Sequence, residues 1–273
     1  MHAPWVENRP TQGHRAVDRR ELWQYRELVR FLAGRDLKVR YKQAALGVGW
    51  AVVRPLVGAV TLTVVFNRVV NLASDDLPYL PFALVGYSAW AYVSASLGGA
   101  AASLVANSAL ITKVYFPRLL APAGAVLPGL VDLAVSLAVV AVLMVIFDVA
   151  PSVSLLLLPA WLAAVVLVAF GAGLWLSALN VLYRDVRSVV PFLLQVWLFA
   201  SPVVFPSSLI EAPEEYFFAV NPLVGVLDGF RWSLLDAPPP GAEDLVSLAS
   251  AALLLISGLA YFRHAERRFA DQI

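Results

Sequence analysis

The 273-residue chain contains no cysteine. Disulfide scaffolds, thiolate zinc sites and cysteine nucleophiles are therefore excluded together. Charge is also scarce: Asp, Glu, Lys and Arg make up 14%, against about a quarter in a soluble domain. A disordered chain needs high charge with low hydrophobicity, and an ordinary soluble enzyme of this length needs a more polar surface than this. The net charge is +1, which gives no electrostatic case for nucleic acid as a partner. Histidine is confined to His2, His14 and His264, all in polar tails. No metal site and no nucleophile–base pair can be assembled around them. The sequence lacks H-E-x-x-H, and it lacks the G-x-x-x-x-G-K-[ST] phosphate loop, so it does not bind ATP by that route.

What the chain has in abundance is apolar residues, 60% of the total, with a mean hydropathy of +0.75. The first 45 residues are polar and basic, unlike a signal peptide. Six apolar runs follow, at 47–70, 80–106, 119–147, 153–181, 189–204 and 245–262. Each except the fifth is long enough to cross about 30 Å of hydrocarbon at about 1.5 Å per residue. The fifth is marginal, with Pro191 and Pro202 near its ends. The runs are continuous and rich in Leu, Ala and Val rather than alternating, which argues against strands. The expectation is an all-α integral membrane protein of six transmembrane helices. A cytoplasmic N-terminal segment at 1–45 precedes a membrane domain at 46–273.

Basic residues set the orientation. Ten lie before residue 43; Lys113 and Arg118 lie in the second loop, Arg184 and Arg187 in the fourth, and Arg263, Arg267 and Arg268 in the tail. The other loops are acidic, with Asp75, Asp76, Asp148, Glu211, Glu214, Glu215, Asp236, Glu243 and Asp244. By the positive-inside rule both termini of this multi-pass protein are cytoplasmic. Residues 19–34 have a helical pattern in which Leu22, Tyr25, Leu28, Val29 and Leu32 share an arc of about 120°. This predicts an amphipathic helix at the inner interface, contacting membrane lipid; the bland alternative is a solvated helix packed on a partner. Ionisable groups within the runs are few: Arg54, Asp132 and, near an end, Arg68. A proton-driven pump would want more. Asp132 must face the bundle or water, and Arg54 is its nearest candidate partner.

Five stretches belong together: RDLKVRYKQAALGVGWAVVRPL (35–56), ITKVYFPR (111–118), LNVLYRDVRSVVPF (179–192), SPVVFP (201–206) and NPLVGVLDGFR (221–231). In order and spacing they resemble the ABC-2 type permeases that export O-antigen, galactan and teichoic acid. Arg54 departs from the pattern, where a neutral residue such as Gln is expected before the proline.

The resemblance implies the permease half of an exporter for a lipid-linked polysaccharide, placed in the cytoplasmic (inner) membrane, and no enzyme chemistry in this chain. Two copies, a homodimer, would form one pathway. Two copies of a cytosolic nucleotide-binding ATPase subunit would drive it and hold the ATP and Mg. It makes part of 103–118 a coupling helix docking on that ATPase through Lys113, Val114, Tyr115, Phe116 and Arg118; otherwise this is an ordinary basic loop. Tyr183, Arg184 and Asp185 would form a cytoplasmic gate or structural ion pair; otherwise a solvated loop. The apolar, proline-cut loop at 204–244 reads as two short re-entrant helices, with Tyr216, Phe217, Phe218 and Asn221 at an outer gate; the alternative is an external cap. Trp50, Phe66, Tyr87, Trp90, Trp197 and Phe199 are candidates to line the pathway, since sugar C–H faces stack on rings. Such residues also concentrate at any membrane interface. Three rivals remain. An ABC-2 exporter of a drug or small lipid would show a closed pocket. A membrane-bound sugar transferase would need an acid–base cluster at one face, and a secondary transporter an internal repeat.

Overall fold

A computed structural model describes residues 23–42, 47–72, 74–75, 77–114, 116–183, 185–210 and 214–269. Among them every regular element is helical. Helix α1 is Arg26–Tyr41. A 3-10 turn at Gly47–Gly49 leads into α2, Trp50–Leu62, which widens into a π-helical end at Thr63–Val69. Next come α3, Tyr79–Ala106, and the single turn α4, Ser108–Ile111. Helices α5, Leu120–Val126, and α6, Pro128–Ile146, form one interrupted rod. The break falls where Pro128 supplies no amide to the ladder. A 3-10 segment at Val153–Leu157 opens α7, Leu158–Leu182. Then follow α8, Val186–Phe199, α9, Glu214–Ala219, α10, Val224–Leu235, and α11, Ala242–Glu266.

Among the described residues, five helical stretches are long and apolar enough to cross a membrane: Trp50–Val69, Tyr79–Ala106, Leu120–Ile146, Val153–Leu182 and Ala242–Glu266. They coincide with the first four expected spans and the sixth. The fifth expected span is a shorter apolar helix, α8, of 14 residues, about 21 Å long. It stops because the chain turns at Ala200, where Pro202 cannot donate to a continuing ladder. Helix α3 is the centre of the bundle, buried along most of its length and packed against α2, α5, α6, α7, α8 and α10. Helices α7 and α11 form the second close pair. The acidic end of the bundle closes its helices with Asn71, Asp148 and Asp236 at φ 56°, 54° and 56°. Asn and Asp tolerate this left-handed conformation best among residues with a Cβ.

Helix α1 runs seven residues past the expected stop at Gly34. A single glycine costs only about 1 kcal/mol, and no proline follows. Its apolar stripe is used against protein. Leu32 is buried and meets Gly124 of α5, while Arg40 reaches Asp132 of α6. Helix α1 therefore runs alongside the α5–α6 rod in the same sense.

Candidate functional site

At the acidic end, α10 is wrapped by the bundle: ten of its twelve residues are buried. Arg231, on this helix, is 2% exposed. Its Nη2 donates to the Val203 carbonyl at 2.9 Å and its Nη1 to Phe205 at 3.4 Å. Asp228, one turn earlier, lies 3.3 Å away, and the Phe82 ring lies under the guanidinium at 3.8 Å. Tyr79 donates its hydroxyl to the intervening Val204 carbonyl. Three successive carbonyls of the turn after α8 thus receive side-chain donors in place of a helical ladder. Burial pushes the Asp228 carboxyl up, with Arg231 pulling the other way, and the same burial lowers the Arg231 guanidinium.

Asn221 knots the same region from the other side. Its Oδ1 accepts from Trp197 Nε1 at 3.0 Å and from the Leu223 amide at 3.1 Å. Its Nδ2 donates to the Ala200 carbonyl and to Ser201 Oγ, both at 2.8 Å. Ser247 of α11 donates to the Asn221 carbonyl at 2.7 Å. The end of α8, the α9–α10 corner and the start of α11 are therefore held by one side chain and its backbone. Of the other residues expected at an outer gate, Tyr216 and Phe217 are exposed, and Phe218 meets Phe205 edge to face at 6.2 Å. Two short helices do occupy the loop, but only α10 is buried among the long ones.

At the basic end, α3 runs to Ala106, and α4 is the only helical turn before α5 among the described residues. Of the expected coupling residues, Lys113 and Val114 are exposed on the turn after α4. Phe116 is buried, and Arg118 donates to the Glu266 carbonyl at 2.9 Å and faces the Phe269 ring. The segment thus has an anchored half and a projecting half; Tyr115 lies outside the described residues. Tyr183 and Asp185 are exposed at the α7–α8 junction. Arg184 lies outside the described residues, and with it the ion pair expected there.

The expected Arg54–Asp132 pair is overturned. Asp132 accepts from Arg40 and from the Tyr41 hydroxyl, while Arg54 lies over the Trp50 ring at 5.5 Å. The last turn of α1 lies against α6 and reaches the carboxylate first. Arg35 adds a second tie, donating to Asn107 Oδ1 at 2.9 Å.

The expected pathway aromatics fall into two groups. Trp90 is buried and packs edge to face on Trp197 at 5.9 Å. Tyr87 fills the space over Gly58 of α2, and Phe66 packs on the core. Trp50 is half-buried and Phe199 is 58% exposed. Tyr87 and Trp90 are three residues apart on α3, hence neighbours on one face, so α2 and α8 both pack on that face. Sequence reasoning missed Asp228, Arg231 and Tyr79. The available signal was two opposite charges at i, i+3 in an apolar run fenced by Pro222 and Pro238.

Residues 27–235 match the ABC-2 type transporter family, which is most of the chain and all of the machinery described above except the last helix. The chain belongs to the ABC-2 type transporter family. This ABC-2 chain is 30% identical over 257 residues to the O-antigen export system permease protein RfbA of Myxococcus xanthus, covering 93% of the chain and 98% of that protein. It is 25% identical over 252 residues to the O-antigen export system permease protein RfbA of Klebsiella pneumoniae, covering 90% and 94%. The polysialic acid transport protein KpsM of Escherichia coli matches at 25% over 243 residues, covering 85% and 91%. The ABC-2 chain is a multi-pass membrane permease, and its relatives are transport permeases rather than enzymes.

Proposed function

We propose that this chain is the permease half of an ATP-driven exporter that moves a lipid-linked polysaccharide outward across the cytoplasmic membrane. The observation that carries the reading is its near end-to-end match to permeases named for O-antigen export. Both termini are cytoplasmic, the basic end faces the cytosol, and α8 with the turns after it is the fifth of six crossings. Two copies enclose the pathway between their α2 and α8 helices. Two copies of a separate ATPase subunit bind ATP and Mg and dock on the basic end.

The geometry supports a route for the stroke. Lys113 and Val114 are exposed at the basic end, which this reading turns toward the cytosol, while Phe116 and Arg118 tie the same segment to the end of α11. Helix α1 is fastened to α6 by Arg40 and Tyr41 and to the end of α3 by Arg35. A push on this end moves rigid helices together, since packed elements shift as units. At the far end the Asn221 and Arg231 networks couple α8 to α10 and α11.

The test is a pull-down of the tagged chain from mild detergent with an ATPase assay on the eluate. A nucleotide-binding subunit recovered in equal amount, with ATP hydrolysis, is the expected result. Recovery of the chain alone with no hydrolysis sinks the exporter reading and favours a membrane enzyme or secondary transporter.

A further inference from the structure

A cavity of about 250 Å³ opens at the acidic end of the bundle. Asp75, Phe218, Asp228, Arg231, Glu243 and Asp244 are among the residues that line it. Three of these bring a buried polar atom with no hydrogen-bond partner: Asp228 Oδ2, Arg231 Nε and Asp244 Oδ1. Asp244 is 4% exposed, and its other oxygen is occupied by the Gly241 amide at 2.8 Å. Buried polar groups in folded proteins are met by protein, by ordered water or by a ligand. The three residues that carry these atoms all line one cavity, which places unmet hydrogen-bonding capacity beside it.

The lining determines what those groups are. Four carboxylates face one guanidinium, and that guanidinium is already engaged by Asp228 and the Phe82 ring. Carboxylates only accept hydrogen bonds, so the cavity favours donors and repels anions. No three acidic or histidine side chains among the described residues are grouped to hold a metal ion. The remaining wall carries two hydroxyls, Ser207 and Ser208, of which Ser208 donates to Asp75 Oδ1 at 2.7 Å, and an apolar part with Ile210, Phe218, Pro238 and Pro239. A molecule with several hydroxyl donors and an apolar C–H face matches both surfaces. The volume lies below the range of about 300–1,000 Å³ for drug-sized sites, which suits one small ring.

We infer that this cavity is a sugar-binding subsite that holds a single neutral residue of the glycan at the outer end of the pathway. The inference rests on the exporter reading above. Its walls come from α9, α10, the start of α11 and the α2–α3 loop, so occupancy ties the short helices to the long ones.

The test uses the purified full chain in detergent. Methyl glycosides of glucose, galactose, mannose, rhamnose and N-acetylglucosamine are titrated by saturation-transfer NMR, with spermidine as a cationic comparison. At least one glycoside is expected to saturate with a Kd on the order of 1–10 mM. Asp244→Asn keeps the helix cap and removes the charge; Phe218→Ala removes the ring. Each is expected to weaken binding about tenfold, a loss of about 1.4 kcal/mol. Val153→Ala, at an exposed position, leaves binding unchanged. Phe218→Ala carries the test if Asp244→Asn fails to fold. The inference is overturned if no glycoside saturates, if both variants bind as the wild type does, or if spermidine saturates and the glycosides do not. Absence of glycoside binding in a chain that brings an active ATPase removes the subsite and leaves the exporter reading intact. Glycoside binding, lost in both variants, by a chain that brings no ATPase supports the subsite and removes the exporter reading.

Discussion

Arg231 and Asp132, charges of opposite sign, show how an ionisable group is handled at two depths of burial. Arg231 has two carbonyls, a carboxylate and a ring around it, which meets most of what a fully buried guanidinium requires and leaves its Nε without a hydrogen bond. Asp132 and Arg40 keep 29% and 31% of their side-chain surface, so their attraction is partly screened. Removing the Asp132 carboxylate should therefore cost less than the 3–5 kcal/mol typical of a broken buried pair, and more than a surface pair is worth. Asp132→Ala is expected to destabilise the chain by about 1–2 kcal/mol. Arg40→Ala should add little on top of it, because each change removes the same bond. Arg54→Ala should add its full separate effect, because Arg54 faces Trp50. Denaturant unfolding of the three single and two double variants in detergent decides this. Coupling of Asp132 to Arg54 instead of Arg40 would contradict the geometry described here.

The long helices were legible in the sequence because a crossing needs an unbroken apolar run, and such runs are read directly. The left-handed residues that close helices at Asn71, Asp148 and Asp236 were not read as such; the two aspartates entered only as loop charges. The partner of Asp132 was not legible, because it depends on α1 continuing past Gly34 and on which side of α6 that extension lies. The Asn221 and Arg231 networks were hidden for the same reason, since each joins segments about 20 to 28 residues apart. Packing between elements adds a signal of its own. At the α7–α11 crossing, a Cβ on Gly171 would stand 2.8 Å from the Leu255 backbone. A glycine there lets two helices approach more closely than any other residue permits. Gly171→Ala is expected to cost about 1–3 kcal/mol through forced separation. Gly34→Ala, where a Cβ meets nothing within 4 Å, should instead stabilise α1 by about 0.5–1 kcal/mol. Unfolding midpoints that move in the same direction for both variants would count against the crossing as the reason for Gly171.

A single copy leaves α2 and α8 poorly covered for helices of a membrane domain. Only Val190 of α8 is buried, while Phe192, Leu193, Val196 and Phe199 form an exposed stripe. The apolar members alone would be content against lipid. Gln195 of α8 and Arg54 of α2 would not, and both are exposed on helices that pack on the same face of α3. Polar side chains at membrane depth face protein or a water-filled space. The homodimer proposed above, with its second copy laid against α2 and α8, would supply both, and a two-fold interface would bring each stripe near its own image. The chain has no cysteine, so single cysteines can be placed without background. Cysteines introduced one at a time at Phe192, Leu193, Val196 and Phe199 should yield a disulfide-linked dimer from at least one position when native membranes are oxidised. The bond requires Cα atoms within about 7 Å, so only positions near the two-fold axis will respond. Leu253→Cys, equally exposed but on α11, should remain monomeric. Dimer formed from Leu253 and from none of the four α8 positions would move the interface to α11 and remove α8 from the pathway.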